Sequence, residues 1–150
     1  LNYDCKLVIV GPIRDEHYRD RIAKLGNNVE YRGYVDQQTL DCLYRDADLF
    51  VFPTRSDVFP LVTLEAMAAG TPVISTTVGG LPEQIPETAG ILVPPKQPLE
   101  FAQAVDELLS DETRRIAMAE NGMDLVKNKY SWDAVAVEAV EQYHRMLAKK

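Results

Sequence analysis

Residues 49–76 read LFVFPTRSDVFPLVTLEAMAAGTPVIST, and this stretch decides the architecture. Four apolar residues, Leu49–Phe52, stop at Pro53. A polar loop follows, then a stretch of helical character from Pro60 to Ala69, closed by Gly70 and Pro72. Proline suits a first helical position, where its missing N–H would have no partner anyway, and glycine suits the residue past a helix end. Pro72–Thr76 then repeats the apolar run. Strand, helix and strand in this order make a βαβ unit.

The same rhythm extends in both directions. Lys6–Val10, Val29–Gly33 and Gly90–Val93 are further β-type runs. Asp15–Leu25 carries Tyr18, Ile22 and Leu25 on one helical stripe. Asp36 is an N-cap for a helix reaching Arg45, with Leu40 and Leu43–Tyr44 facing inward. The unbroken apolar runs Leu-Val-Ile-Val and Leu-Phe-Val-Phe predict strands covered on both faces, as in a doubly wound parallel sheet. Beyond Val93 the strands cease. Pro98–Ser110, Asp111–Asn128 and Ser131–Lys149 read as three successive helices, the last long and patterned by Val135, Val137, Val140, Tyr143, Met146 and Leu147. The expectation is one α/β domain, Rossmann-like, over residues 1–150.

Composition narrows the function classes. Apolar residues make up 46% and charged residues 26%, which excludes a disordered chain. No apolar run approaches the ~20 residues that cross a bilayer, and no signal-peptide pattern is present. Lys and Arg number 16 against 23 Asp and Glu, a net charge of −7 without a basic run, which argues against a nucleic-acid partner. Cys5 and Cys42 show no ligand spacing, so a zinc site and a disulfide framework are not expected. Both read as small core residues of a cytoplasmic protein.

Several catalytic signatures are absent: G-x-G-x-x-G, the P-loop, G-x-S-x-G and H-E-x-x-H. His17 and His144 read as solvated helix residues. A phosphoacceptor receiver domain would need an acidic cluster after the first strand, where Gly11-Pro12 stands. Ligands of open parallel sheets bind at the carboxyl ends of the strands. The loops there are Gly11–Arg14, Tyr34–Val35, Pro53–Phe59 and Thr77–Leu81, and the third is the most polar. At the helix that follows it, Leu61, Val62 and Thr63 present amides at a positive helix end, which favours an anion such as a diphosphate. Glu65 lies five residues beyond Pro60, about 7.5 Å along the axis, within reach of a ribose attached to that diphosphate. Its neighbours Leu64, Ala66 and Met67 are apolar, so Glu65 needs a partner. Asp57 fits a capping role as well as a ligand contact.

The segment Phe52–Ile74 resembles the signature of glycosyltransferase family 4, retaining enzymes of GT-B fold that use nucleotide-sugar donors. Lys6–Gly11, Gly33-Tyr34-Val35, Ala47–Pro53, Val78–Glu83, Gly90–Pro95 and Tyr130-Ser131-Trp132 follow the same pattern in order. The resemblance implies the C-terminal, donor-binding half of a GT-B fold with extra C-terminal helices. It implies that Glu65 binds the donor ribose and that Asp57 contacts the transferred sugar. Amides of Phe59, Leu61 and Val62 would hold sugar hydroxyls and phosphate, in a segment where Pro60 has no N–H to offer. Val35 would meet the nucleobase through its main chain, and Gly11 would line the cleft. Asp57 stands where the family usually has Glu, and Val58 where it usually has Gly.

The implied reaction moves a hexose from a UDP- or GDP-sugar to a hydroxyl with retention at the anomeric carbon, without metal or cofactor. The family pattern also implies a first βα unit, with a diphosphate-neutralising Arg and Lys, and an N-terminal acceptor domain ahead of Leu1. On that expectation the chain alone transfers little. The acceptor, a sugar, a lipid or another hydroxyl compound, would bind the N-terminal domain, and attachment to the inner face of a membrane is compatible with the reading. The alternatives are a GT-B epimerase or phosphorylase-like enzyme and a non-catalytic α/β binding module.

Overall fold

The computed structural model describes residues 5–148. The chain divides into two compact units, Leu1–Leu43 and Tyr44–Lys150. The first contains β1 (Leu7–Val10), α1 (Glu16–Ala23) and β2 (Val29–Gly33), and α2 (Gln37–Asp46) crosses the boundary. β1 and β2 pair in parallel, Leu7 beside Val29 and Ile9 beside Tyr31, with an irregularity between Ile9 and Val10. Both helices begin on the acidic caps that local chemistry dictates. Asp15 accepts from the His17 amide at 2.9 Å and Asp36 from the Thr39 amide at 2.7 Å. The Asp36 carboxyl is accordingly held below its ordinary pKa by those Thr39 hydrogen bonds.

The second unit runs β3 (Phe50–Phe52), α3 (Leu61–Ala68), β4 (Val73–Thr76), α4 (Leu81–Gln84), β5 (Gly90–Val93), α5 (Pro98–Ser110), α6 (Glu112–Leu125) and α7 (Trp132–Leu147). A π-helical turn, Val126–Tyr130, joins α6 to α7. The three strands are parallel with β4 in the middle, and Val51, Ile74 and Ile91 stand in register. Ile74, Val93, Ala104, Leu108 and Met118 form the core, with Val51, Ile91, Phe101 and Val105 packed against it. Burial of these side chains is the main stabilising term.

Four expectations change. The continuous apolar runs are not the deepest strands: β1 and β3 are at most half-buried, whereas every residue of β4, Val-Ile-Ser-Thr, is buried. A central strand can carry those two hydroxyls because each has an acceptor. Ser75 Oγ donates to Phe52 O at 2.8 Å and Thr76 Oγ1 to Thr54 O at 2.7 Å. Pro60 is the N-cap of α3, not its first residue, with φ −68° and ψ 124°; its extended ψ keeps it outside the helix. Cys42 is exposed and Cys5 only partly buried, so neither is a core residue. The short helix α4 has no counterpart in the sequence reading, because four residues are too few to display a period. Among the described residues no helix is long and apolar enough to cross a membrane.

Candidate functional site

In the second unit, β3 ends at Phe52 and the chain enters the loop 53–60. Two short-range motifs shape it. Thr54 Oγ1 donates to Ser56 O at 3.2 Å and accepts from the Ser56 amide at 3.3 Å. Asp57 Oδ1 accepts from the Phe59 amide at 3.1 Å, an Asx-type turn that directs the chain toward Pro60. Asp57 is half-buried, while Val58 and Phe59 are exposed and Pro60 is buried. The Phe59 amide therefore has an acceptor within its own loop. The amides of Leu61, Val62 and Thr63, in the first turn of α3, have no carbonyl partner inside the helix.

The loop 77–80 fixes this segment from the side. Gly79 has φ +54°, and a Cβ there would fall 1.7 Å from Asp57 O. At Gly80 it would fall 2.6 Å from Val58 O, and the Gly80 amide donates to that same oxygen at 2.8 Å. Only glycine lets the two backbones approach this closely. α4 adds a second clamp. The Thr63 hydroxyl lies 3.0 Å from Gln84 Oε1 and 2.9 Å from Pro60 O, and Gln84 Nε2 donates to Pro60 O at 3.3 Å. Both side chains are fully buried. The triangle closes when the hydroxyl donates to the amide oxygen and the amide nitrogen to the Pro60 carbonyl, which leaves each polar atom matched. Phe59 is braced from the π-helical turn: its ring meets Tyr130 edge-on at 6.0 Å, and the Tyr130 hydroxyl donates to Glu83 O at 3.0 Å.

Glu65 projects from the second turn of α3 and is half-buried. The Tyr44 hydroxyl donates to its Oε2 at 3.2 Å. Tyr44 itself is buried, edge-on to Phe50 at 5.4 Å, and its backbone carbonyl accepts from the Thr71 hydroxyl. The partner that the apolar surroundings of Glu65 demand is thus a phenol from α2.

Of the residues singled out in the sequence, Asp57, Phe59, Pro60, Leu61, Val62 and Glu65 occupy one loop-and-helix segment of the second unit. Gly11 and Val35 belong to the first. There, Gly11 follows β1 directly, its amide donating to Gly33 O at 2.8 Å and its carbonyl accepting from the Tyr31 hydroxyl at 2.9 Å. Val35 lies just beyond β2 and is half-buried. Tyr44 and Gln84 escaped the sequence reading as site residues, and the sequence marks Thr63 for its amide but not for its hydroxyl. Tyr44 stood on the inward stripe of its helix as an ordinary core residue, and nothing local marks Gln84. No group of three or more His, Cys, Asp or Glu side chains converges among the described residues.

Known proteins resemble this chain in sequence and in fold. A family model described as "Glycosyl transferases group 1" matches residues 1–111. An uncharacterized glycosyltransferase of Methanocaldococcus jannaschii, MJ1607, is 44% identical over 146 residues, which cover 94% of this chain and 37% of that protein. A sucrose-phosphate synthase from Thermosynechococcus elongatus superposes with a TM-score of 0.81 at 33% identity, over 97% of this chain and 39% of the other. Anabaena HepE, solved in complex with UDP-glucose, superposes with a TM-score of 0.77 at 22% identity, over 97% of this chain and 41% of that one, and shows the fold alone. The chain thus spans less than two-fifths of the length of the Methanocaldococcus relative and of the synthase. Parallel α/β units, the loop–helix segment 53–65 and these likenesses place the chain in the glycosyl transferases group 1 family, with the Rossmann-like architecture of a GT-B C-terminal domain.

Proposed function

We propose that the chain forms the donor-binding part of an enzyme that transfers a hexose from a UDP- or GDP-sugar to a hydroxyl acceptor, with retention at the anomeric carbon. The observation that carries the reading is the placement of Glu65. It is a half-buried carboxylate, oriented by Tyr44, just over one turn inside a helix whose N-terminus follows the loop bearing Asp57. Glu65 accepts from the ribose hydroxyls of the donor. The amides of Leu61 and Val62, at the positive end of α3, face the sugar and diphosphate. Asp57 contacts the transferred sugar through its carboxylate, whose Oδ1 also holds the Phe59 amide. The Phe59 amide serves the site by shaping the loop.

Transfer breaks the bond between the anomeric carbon and the diphosphate oxygen, whose electron pair leaves on phosphate, and forms a bond from that carbon to the acceptor oxygen, whose proton goes to the leaving diphosphate. Negative charge grows there as positive charge grows on the sugar. Oriented amides stabilise the leaving diphosphate without reorganising when the reaction occurs. The reading assigns the donor no metal. In the first unit, taken by itself, Gly11 is assigned to lining a cleft and the main chain of Val35 to meeting a nucleobase. The acceptor, a sugar or lipid hydroxyl, is left to a domain other than this one.

Binding of UDP, GDP and their sugar conjugates, followed by calorimetry, tests the proposal. One of the two nucleoside diphosphates is expected to bind, and Glu65→Ala to weaken it by about tenfold to a hundredfold, the range for hydrogen bonds to a charged group. A Glu65→Ala variant that binds as the parent does would instead favour a non-catalytic α/β module. Product analysis with an added sugar acceptor separates transfer from epimerisation or phosphorolysis.

A further inference from the structure

We infer that Tyr44 is the positioning residue through which the site recognises ribose, and that it does so by holding one oxygen of Glu65. The inference rests on the donor-binding reading above. Tyr44 is fixed from three sides: its ring lies edge-on to Phe50 at an interplanar angle of 81°, its carbonyl accepts from the Thr71 hydroxyl, and its own hydroxyl donates to Glu65 Oε2. A free glutamate side chain samples many rotamers, and ordering one carries an entropic cost. A buried phenol bonded to one carboxylate oxygen removes much of that freedom before any ligand arrives. The other oxygen is then presented in a set direction.

An ionised carboxylate only accepts hydrogen bonds. With Oε2 already accepting from the phenol, Glu65 can recognise a group that donates, as a sugar hydroxyl does, and gains nothing from a methylene in the same place. The pair therefore selects ribose against deoxyribose. Tyr44 touches no ligand in this scheme; its effect passes through Glu65.

The test is calorimetry on the intact protein and its Tyr44→Phe variant, with UDP, GDP and the 2′-deoxy and 3′-deoxy forms of each. The variant keeps the ring and its packing on Phe50, and near-ultraviolet circular dichroism verifies that it is folded. The parent is expected to prefer the ribose form of whichever nucleotide it binds. In Tyr44→Phe that preference should shrink by about tenfold, with affinity for the deoxy form little changed. An undiminished ribose preference in Tyr44→Phe overturns the inference while leaving the donor-binding reading intact. Equal weakening of ribose and deoxy forms assigns Tyr44 a structural role and overturns it too. A parent that binds neither nucleoside diphosphate overturns the reading beneath it.

Discussion

At the scale of single residues, charge placement has consequences that can be titrated. Glu30 on β2 sits 2.6 Å from Arg32 Nε and 2.5 Å from Lys6 Nζ. The Arg32 guanidinium, and after it the Lys6 ammonium, lower its pKa from the usual 4.5 to about 2. A carboxyl depressed in the folded state stabilises the fold above its unfolded pKa and loses that contribution as protons bind. The stability difference between the parent and Glu30→Gln should be constant above about pH 4.5 and vanish as pH falls toward 2. Urea midpoints measured across that range decide it, and the difference should be small because the cluster is solvent-exposed and screened. Glu65 makes the contrasting case. Its neighbours announce in sequence that it needs a partner, and only the fold names that partner as Tyr44, 21 positions away.

At the scale of elements, the helices that begin on Asp15, Asp36, Asp111 and Ser131 do so because a short polar side chain accepts from an amide two or three residues on. Those starts are local chemistry, and all four are legible from sequence to within a residue. α3 departs from the rule. Its N-cap is Pro60, which has no capping side chain, and its first turn is steadied instead by Thr63, Gln84 and the loop 77–80. Gly79→Ala should therefore disturb the site more than its exposed loop setting suggests. Its Cβ would collide with backbone at Asp57, and φ is positive. A loss of about 1–3 kcal/mol is expected, the usual cost of overpacking, with weakened nucleotide binding. Urea unfolding and calorimetry on the same variant check both parts. α7 shows the converse. Its apolar pattern correctly marks a helix, yet none of its described residues is buried, and Trp132 is 89% exposed. Periodicity reports that a stripe exists, not what covers it.

At the scale of the molecule, the strongest commitment of the second unit is its sheet core. Leu108 is fully buried in the cluster with Ile74, Ala104 and Met118. Leu108→Ala should cost about 2–5 kcal/mol, the range for a buried leucine whose cavity collapses only in part. Chemical denaturation measures it, and a loss below about 0.5 kcal/mol, typical of surface positions, would contradict the packing described. Among the described residues, the sequence by itself determined the order and the approximate bounds of five strands and of six of the seven α-helices. Hydrophobic period, caps, glycine and proline act within a few residues of themselves. It also carried the family's pattern around Asp57 and Glu65. Tertiary structure alone decided that the middle strand is the one with hydroxyls and that the runs Leu-Val-Ile-Val and Leu-Phe-Val-Phe stay partly exposed. It alone brought Tyr44 to Glu65 and Gln84 to Pro60 and Thr63. Burial and side-chain pairing depend on which distant segments pack together, and a residue's immediate neighbours in the chain do not encode that.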